Sequence, residues 1–203
     1  MEAAEGRETG DEVKDMENFE FVQPPEVVAR LEAFTEWAEE TLGFSLRTKD
    51  SDDWAAVIRY HAMIEAALNH LLIAHFKMPE LAEVFPKMDN SDMKRGKLAF
   101  VLRLGLLPKE HIDFIQMFSE LRNFMVHNAS NFRLKIAEYP SKIDRGAKWI
   151  KLLALLGGGH IESKRGRQAA LKFAETCAHA AFRGACFSVL EHIFKSSGTY
   201  LPS

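Results

Sequence analysis

Apolar residues recur every three or four positions along most of the chain, a spacing that is typical of helices packed by one face. The first such series follows Pro24-Pro25, residues that the first turn of a helix tolerates, and it stops before Gly43. Runs in which apolar and polar residues alternate are missing from the sequence, so few strands are expected. The apolar positions of this first predicted helix are Val28, Leu31, Phe34, Ala38 and Leu42.

Capping residues, glycines and prolines divide the rest of the chain into further helices. Residues 51–53 supply N-cap oxygens for a second helix, and Gly105 followed by Pro108 is typical of a tight hairpin between two helices. The segment 132–139 is ambiguous, and glycines 157–159 are interpreted as a flexible connection. We expect an all-α fold, a bundle of about five to six helices with a long C-terminal helix. The predicted helices after the first cover about 52–76, 92–104, 108–128, 142–156 and 162–195.

Length, composition and charge predict one domain with an acidic arm. The 203 residues, 47% hydrophobic and 27% charged, are typical of a globular protein with one substantial core. The first twenty residues contain eight acids and two bases, a balance of −6, whereas the whole chain carries −3. The remaining 183 residues therefore carry +3. We expect residues 1–22 to form a disordered acidic arm and residues 23–203 a single helical domain.

Cysteine spacing and the N-terminus indicate a cytosolic protein. Cys177 and Cys186 are nine residues apart in one predicted helix, which separates them by about 13 Å, beyond the reach of a disulfide. Both lie near alanines and are expected to be small buried hydrophobic residues with free thiols. The N-terminus lacks the basic start and apolar segment of a secretory signal, and no apolar run is long enough to span a membrane.

Glu65 breaks the apolar stripe of the second helix. On a helical wheel it falls among the apolar positions, with His61 and Asn69 beside it. A carboxylate facing a core is costly unless it is paired and hydrogen-bonded, so Glu65 is expected to have a cationic partner. Two interpretations remain open, a structural ion pair and an acid held in a functional site.

The fourth helix ends in a group of residues suited to phosphate chemistry. Arg122 and Asn123 are followed, four residues after the asparagine, by His127. Arginine is suited to bidentate contacts with phosphate, and histidine can transfer a proton near neutral pH. RNA transesterification needs no more than these two functions from a protein, because the 2′-hydroxyl of the substrate is the nucleophile.

These residues resemble the signature of a known superfamily. Arg122 and His127, separated by four residues at the end of an apolar helix, resemble the Arg-(four to six residues)-His motif of the HEPN superfamily, in which Asn often follows the Arg. The helical hairpin of its mannitol operon repressor-like branch is similar to the stretch GKLAFVLRLGLLPKEHIDFIQMFSELRNFMVHN. An earlier helix of that branch is similar to WAAVIRYHAMIEAALNHLLIAHF, which contains Glu65. The resemblance covers roughly residues 52–128.

The resemblance implies a homodimeric, metal-independent endoribonuclease. In HEPN ribonucleases two motif helices face each other, and cleavage of RNA leaves a cyclic 2′,3′-phosphate. By position, Arg122 would contact the scissile phosphate, His127 would act as acid or base, and Asn123 would be an orienting hydrogen-bonding residue. Glu65 would anchor Arg122. Such a protein would be a toxin, defence or stress-response effector of a prokaryotic cytosol.

Two non-catalytic alternatives stay open. The repressor-like branch favours a regulator or adaptor whose dimer surface binds a protein partner, and an antitoxin-like or dimerisation module is the other possibility. No helix-turn-helix with a basic recognition helix is visible in the sequence, so direct readout of DNA is not expected.

A metal site is the remaining chemical alternative. His61 and Glu65 share one helical face, and His127 would be a third ligand for zinc or iron. The sequence contains no second clustered pair of ligands and no HExxH motif, so neither a metal nor a cofactor is expected.

Overall fold

The structure, a computed structural model, describes residues 25–45, 52–127, 129–157 and 163–198. All regular secondary structure in these ranges is helical, which confirms the predicted all-α fold class. The predicted acidic arm lies outside the described residues. No helix in the described ranges combines the length and the apolar character needed to cross a membrane.

The described ranges contain seven α-helices and four short 3₁₀ helices. The 3₁₀ helices cover Pro79–Glu83, Phe85–Lys87, Ala129–Arg133 and Ile136–Lys142, the last two within and beside the segment whose pattern was ambiguous. The α-helices are α1 (Pro25–Leu42), α2 (Asp53–Phe76), α3 (Lys97–Arg103), α4 (Lys109–His127), α5 (Gly146–Gly157), α6 (Lys164–Thr176) and α7 (Ala178–Ser196).

Local capping signals set the ends of the first two helices and the hairpin. The Asp52 carboxylate accepts a hydrogen bond from the Ala55 amide at 2.8 Å, which begins α2 as predicted. Gly43 after α1 and Gly105 after α3 both have positive φ, 71° and 64°, a conformation that glycine adopts without strain. These helix ends are confirmed to within a residue or two.

The third helix is shorter than predicted because aspartates compete for its first amides. The Asp89 carboxylate accepts hydrogen bonds from the amides of Ser91 at 2.8 Å and Asp92 at 2.6 Å. The Asp92 carboxylate in turn accepts from the Lys94 amide at 2.7 Å. Such side-chain contacts favour turns over helix, so α3 begins at Lys97 rather than near residue 92.

The prediction of one long C-terminal helix is wrong, because the chain bends at Cys177. This residue has φ −123° and ψ 46°, outside the helical region, and separates α6 from α7. The Thr176 hydroxyl donates back to the Lys172 carbonyl at 2.8 Å, a contact that commonly bends helices. Cys177 is consequently exposed, contrary to expectation, while Cys186 is buried, and the two cysteines are not joined in a disulfide.

Close backbone contact joins α5 to α7. A Cβ atom placed on Gly157 would lie 2.0 Å from the Ala181 carbonyl oxygen, and one on Gly184 would lie 3.0 Å from the Gly157 Cα. The first of the three glycines is therefore a packing position and not only part of a flexible connection. The other two lie outside the described residues.

One end of the bundle collects the start of α2, the start of α7 and the end of α4. Asp53, the first residue of α2, contacts His179 near the start of α7 at 2.7 Å. Near the middle of the bundle, the rings of Phe118 and Phe182 lie 5.0 Å apart, and at the other end His111 and His192 lie 4.9 Å apart. The helix α4 therefore runs antiparallel to α7, and its last turn lies at the end where α2 and α7 begin.

Candidate functional site

The last two turns of α4 carry an arginine held by a neutral side chain. The Arg122 guanidinium donates a hydrogen bond from Nη1 to the Asn123 Oδ1 at 3.0 Å. Arg122 is half-buried and Asn123 is exposed. Among the described residues, no carboxylate lies within ion-pair distance of Arg122. The positive charge of this guanidinium is thus oriented without being neutralised by a direct partner.

His127 is the last residue of α4 and is exposed to solvent, where a ligand can reach its imidazole. Two apolar side chains nearby in sequence are also exposed, Val126 to 40% and Phe132 to 56%. The Arg133 guanidinium lies over the Phe132 ring, 5.1 Å from its centre. The end of α4 is therefore a mixed polar and apolar surface.

Glu65 has a cationic partner, as its position on the apolar stripe predicts, but that partner comes from α3. The Lys97 ammonium donates to the Glu65 Oε1 at 2.9 Å. The Lys97 side chain is completely buried, whereas the Glu65 side chain is 36% exposed. The expected pairing of Glu65 with Arg122 is replaced by this contact, because the short helix α3 inserts its first residue against α2.

His61 lies on the same face of α2, one turn before Glu65, and contacts α4. Its Nε2 is 3.2 Å from the Ser119 hydroxyl, which itself donates to the Ile115 carbonyl at 3.0 Å. Because that hydroxyl proton is already committed, the imidazole donates through Nε2–H, and Nδ1 keeps a lone pair. Burial lowers the pKa of His61, the Glu65 carboxylate raises it, and Arg122 and Lys97 lower it further.

The structure thus brings some predicted site residues together and separates others. Arg122 and Asn123 are in direct contact, and Arg122 lies near enough to His61 to affect its pKa. Glu65 joins Lys97 instead, and His127 lies more than a turn beyond Arg122 on α4.

Sequence reasoning missed two residues of this region, Lys97 and Ser119. Lys97 opens a short apolar helix, one turn from the buried Val101, so a helical wheel places its side chain on the buried face. A lysine on such a face needs a buried acid, and Glu65 is the acid whose own pattern needed a cation. Matching these two requirements would have suggested the pair. Nothing in the pattern around Ser119 indicates its contact with His61.

The metal alternative receives no support from the geometry. In the part of the chain that the structure describes, no three His, Cys, Asp or Glu side chains are grouped to hold a metal ion. His61 and Glu65 are engaged by Ser119 and Lys97 respectively.

His111, at the opposite end of α4, makes the second histidine contact of this helix, and it is buried. Its Nε2 is 3.4 Å from the Ser188 hydroxyl while its Nδ1 is buried with no hydrogen-bond partner among the described residues. Burial, with a smaller effect of His192, lowers the pKa of His111 to about 4. This imidazole is a neutral packing group at neutral pH.

Comparison with protein-family models, with curated proteins and with solved structures finds no match to this chain. The interpretation of the site therefore depends on the residues themselves.

Proposed function

We propose that this protein is a metal-independent endoribonuclease of HEPN type, which cleaves RNA at the end of α4. The observation that supports the proposal is the state of Arg122, whose direct hydrogen-bond partner is the neutral amide of Asn123. An arginine with a neutralising carboxylate would gain little from a phosphate, whereas an oriented and uncompensated guanidinium binds one strongly.

The reaction needs a phosphate-binding cation and groups that move protons. Arg122 binds the non-bridging oxygens of the scissile phosphate and stabilises the charge that develops on them. The 2′-hydroxyl of the substrate loses its proton and attacks phosphorus, the bond to the 5′-oxygen breaks, and a cyclic 2′,3′-phosphate is left. His127 exchanges a proton with one of these oxygens, as base for the 2′-hydroxyl or as acid for the 5′-oxygen, and water exchanges the proton of the other, so that the 5′-oxygen leaves as a hydroxyl group. The exposure of His127 makes it accessible to the substrate. Because the nucleophile belongs to the RNA, no metal is required to generate one.

Within this proposal Asn123 and Glu65 have supporting roles. Asn123 orients the guanidinium through its side-chain carbonyl. Glu65 acts at a distance from the phosphate, because its contact with Lys97 fixes α3 against α2. The acid is then a positioning residue rather than the anchor of Arg122.

The proposed active form is a homodimer in which two copies of α4 line one cleft. The exposed Val126 and Phe132 beside the polar residues supply apolar surface for such a contact. Light scattering at micromolar concentration is expected to give the mass of a dimer. A monomer under these conditions would remove the composite cleft from the proposal.

RNA cleavage in the presence of EDTA tests the proposal directly. Single-stranded and structured RNAs are incubated with the wild-type protein, with Arg122→Gln and with His127→Gln. We expect each variant to lose about 100-fold or more in rate, the magnitude typical for loss of a group that stabilises the transition state. Arg103→Gln is the matched control, since Arg103 is an exposed arginine on α3. Equal rates, or equally intact RNA, for wild type and Arg122→Gln would contradict the proposal.

A non-catalytic regulator or adaptor is the second candidate, and the same exposed apolar residues favour it. Val126 and Phe132 are suited to contact with a protein partner as well as with a second copy. On this alternative, a partner purifies with the chain in a stoichiometric complex. Substitution of Phe132 releases that partner, whereas Arg122→Gln retains it.

A further inference from the structure

A second group of polar residues lies between α2 and α7. The Asp53 carboxylate contacts the His179 Nδ1 through one oxygen at 2.7 Å and accepts the Ile136 amide through the other at 2.8 Å. Because a carboxylate accepts hydrogen bonds, the imidazole donates through Nδ1–H. Its Nε2 therefore points away from the acid. The His179 side chain is 39% exposed.

One turn further along α7, Arg183 is held by α2 in a similar manner. Its Nε donates to the Tyr60 hydroxyl at 3.2 Å, a contact that leaves both terminal nitrogens of the guanidinium unused by Tyr60. Arg183 is half-buried. Among the described residues, no carboxylate lies within ion-pair distance of its guanidinium.

The two side chains share one face of α7 and are each fixed by α2. Residues 179 and 183 are four apart, so their side chains are neighbours on the helix surface. Asp53 and Tyr60 are seven apart on α2 and share a face of that helix. Each of the two side chains is thus held in place by a residue of α2, and such restraint preorganises a binding site.

We propose that His179 and Arg183 form a binding site for a phosphate group on the surface where α7 packs against α2. The Arg183 guanidinium would bind two phosphate oxygens through its terminal nitrogens, and the Nε2 of His179 would face a third oxygen and, when it carries a proton, donate to it. Asp53, on the opposite side of the ring, fixes the orientation of the imidazole through Nδ1 and does not contact the anion. A half-buried guanidinium without a carboxylate gains a counter-ion when the phosphate binds.

The position of this site on the bundle is compatible with RNA as the source of the phosphate, although other sources fit the same chemistry. The start of α7 and the last turn of α4 lie at the same end of the bundle, so one RNA strand could contact both. A phosphate on a free nucleotide has the same chemistry and is the other possible source. The inference does not depend on the proposed cleavage activity, because it concerns binding alone.

Histidine-selective NMR of the full chain tests the site. Inorganic phosphate, adenosine monophosphate and a short single-stranded RNA are titrated separately at constant ionic strength, and the imidazole signals of His179, assigned with His179→Gln, are followed. We expect all three to shift these signals, with Arg183→Gln weakening the binding by about tenfold or more. The matched control Arg103→Gln should bind like wild type.

The outcomes separate the sources of the phosphate and can overturn the site. Tighter binding of RNA than of the mononucleotide assigns the site to a nucleic-acid backbone, and the reverse order assigns it to a free nucleotide. Arg183→Lys keeps the charge and should bind several-fold more weakly than wild type, which covers the case in which Arg183→Gln does not fold. Unchanged His179 signals with all three ligands, or equal binding by wild type and Arg183→Lys, would overturn the proposal. Loss of RNA cleavage alone would not.

Discussion

Two cations lie near His61, and they differ in their partners: one is paired with a carboxylate and the other with a neutral amide. Lys97 is completely buried and has the Glu65 carboxylate at 2.9 Å. Arg122 is half-buried and has a neutral amide oxygen, that of Asn123, at 3.0 Å. Both lower the pKa of His61, so both lie within electrostatic reach of the same imidazole.

This difference indicates that the charge of Lys97 has a structural role, whereas the charge of Arg122 is available to bind a ligand. A buried ammonium is tolerated only when a carboxylate compensates it, and Glu65 is the carboxylate that compensates Lys97. Arg122 reaches solvent and can remain without a carboxylate until an anion arrives. Because Glu65 pairs with Lys97, it does not compete with a phosphate for the Arg122 guanidinium.

Removing Lys97 should have the largest effect on stability. Lys97→Met leaves Glu65 without its cation, and we expect the free energy of unfolding to fall by about 2–4 kcal/mol, less than for a fully buried pair because Glu65 still reaches water. Arg122→Gln should change it by no more than about 0.5 kcal/mol. Urea unfolding measures both. Equal losses in the free energy of unfolding for the two variants would contradict the assignment of a structural role to Lys97 and not to Arg122.

The double variant Glu65→Gln with Lys97→Met sharpens this measurement. It removes both charges, so it should recover part of the stability that Lys97→Met loses. A double variant that is less stable than Lys97→Met would indicate that the pair contributes through packing alone.

The lowered pKa of His61 predicts that stability decreases as the pH falls, an effect of intermediate size. Because burial lowers its pKa in the folded protein, the unfolded chain takes up the proton first as pH falls. This group therefore contributes full stability above about pH 6.5, the ordinary value for histidine, and loses it progressively below that pH. Lys97→Met removes a positive charge and exposes the negative Glu65, so it should raise the pKa of His61 and reduce the acid-induced loss. NMR titration of the imidazole checks the direction, and a lowered pKa in the variant would contradict the charge arrangement.

Changes at Asn123 should have the smallest effect and the most specific pattern. Asn123→Ala removes one hydrogen bond from Arg122, and we expect RNA cleavage to slow by about three- to tenfold. Asn123→Asp keeps an acceptor but adds a carboxylate beside the guanidinium, so it should slow cleavage more than the alanine variant. The reverse order would mean that the free charge of Arg122 is unimportant.

The sequence predicts the local features of this protein better than its tertiary contacts. The start of α2 at Asp52 and the glycines after α1 and α3 depend on neighbouring residues, and all were predictable. The partner of Glu65 was missed, because it depends on how three helices pack. The wheel of α2 required a cation for Glu65 without giving its position, and the contact with Lys97 rather than Arg122 follows from the position of α3.

The break at Cys177 shows a second limit of periodicity. Apolar spacing continues through the bend, since both α6 and α7 face the core, and no proline or glycine marks the junction. The back-bonded Thr176 is a signal too weak to distinguish a bend from a continuous helix.

Cleavage of an RNA that carries a single 2′-deoxynucleotide tests the central claim most directly. In EDTA, the wild-type protein should cut the all-ribose substrate to products ending in a 2′,3′-cyclic phosphate. It should leave the bond that follows the deoxynucleotide intact, because that position lacks the attacking hydroxyl. Arg122→Gln should cut the all-ribose substrate about 100-fold or more slowly than wild type. Cleavage of the deoxy-substituted bond, or an all-ribose substrate that stays intact with wild type, would contradict the account.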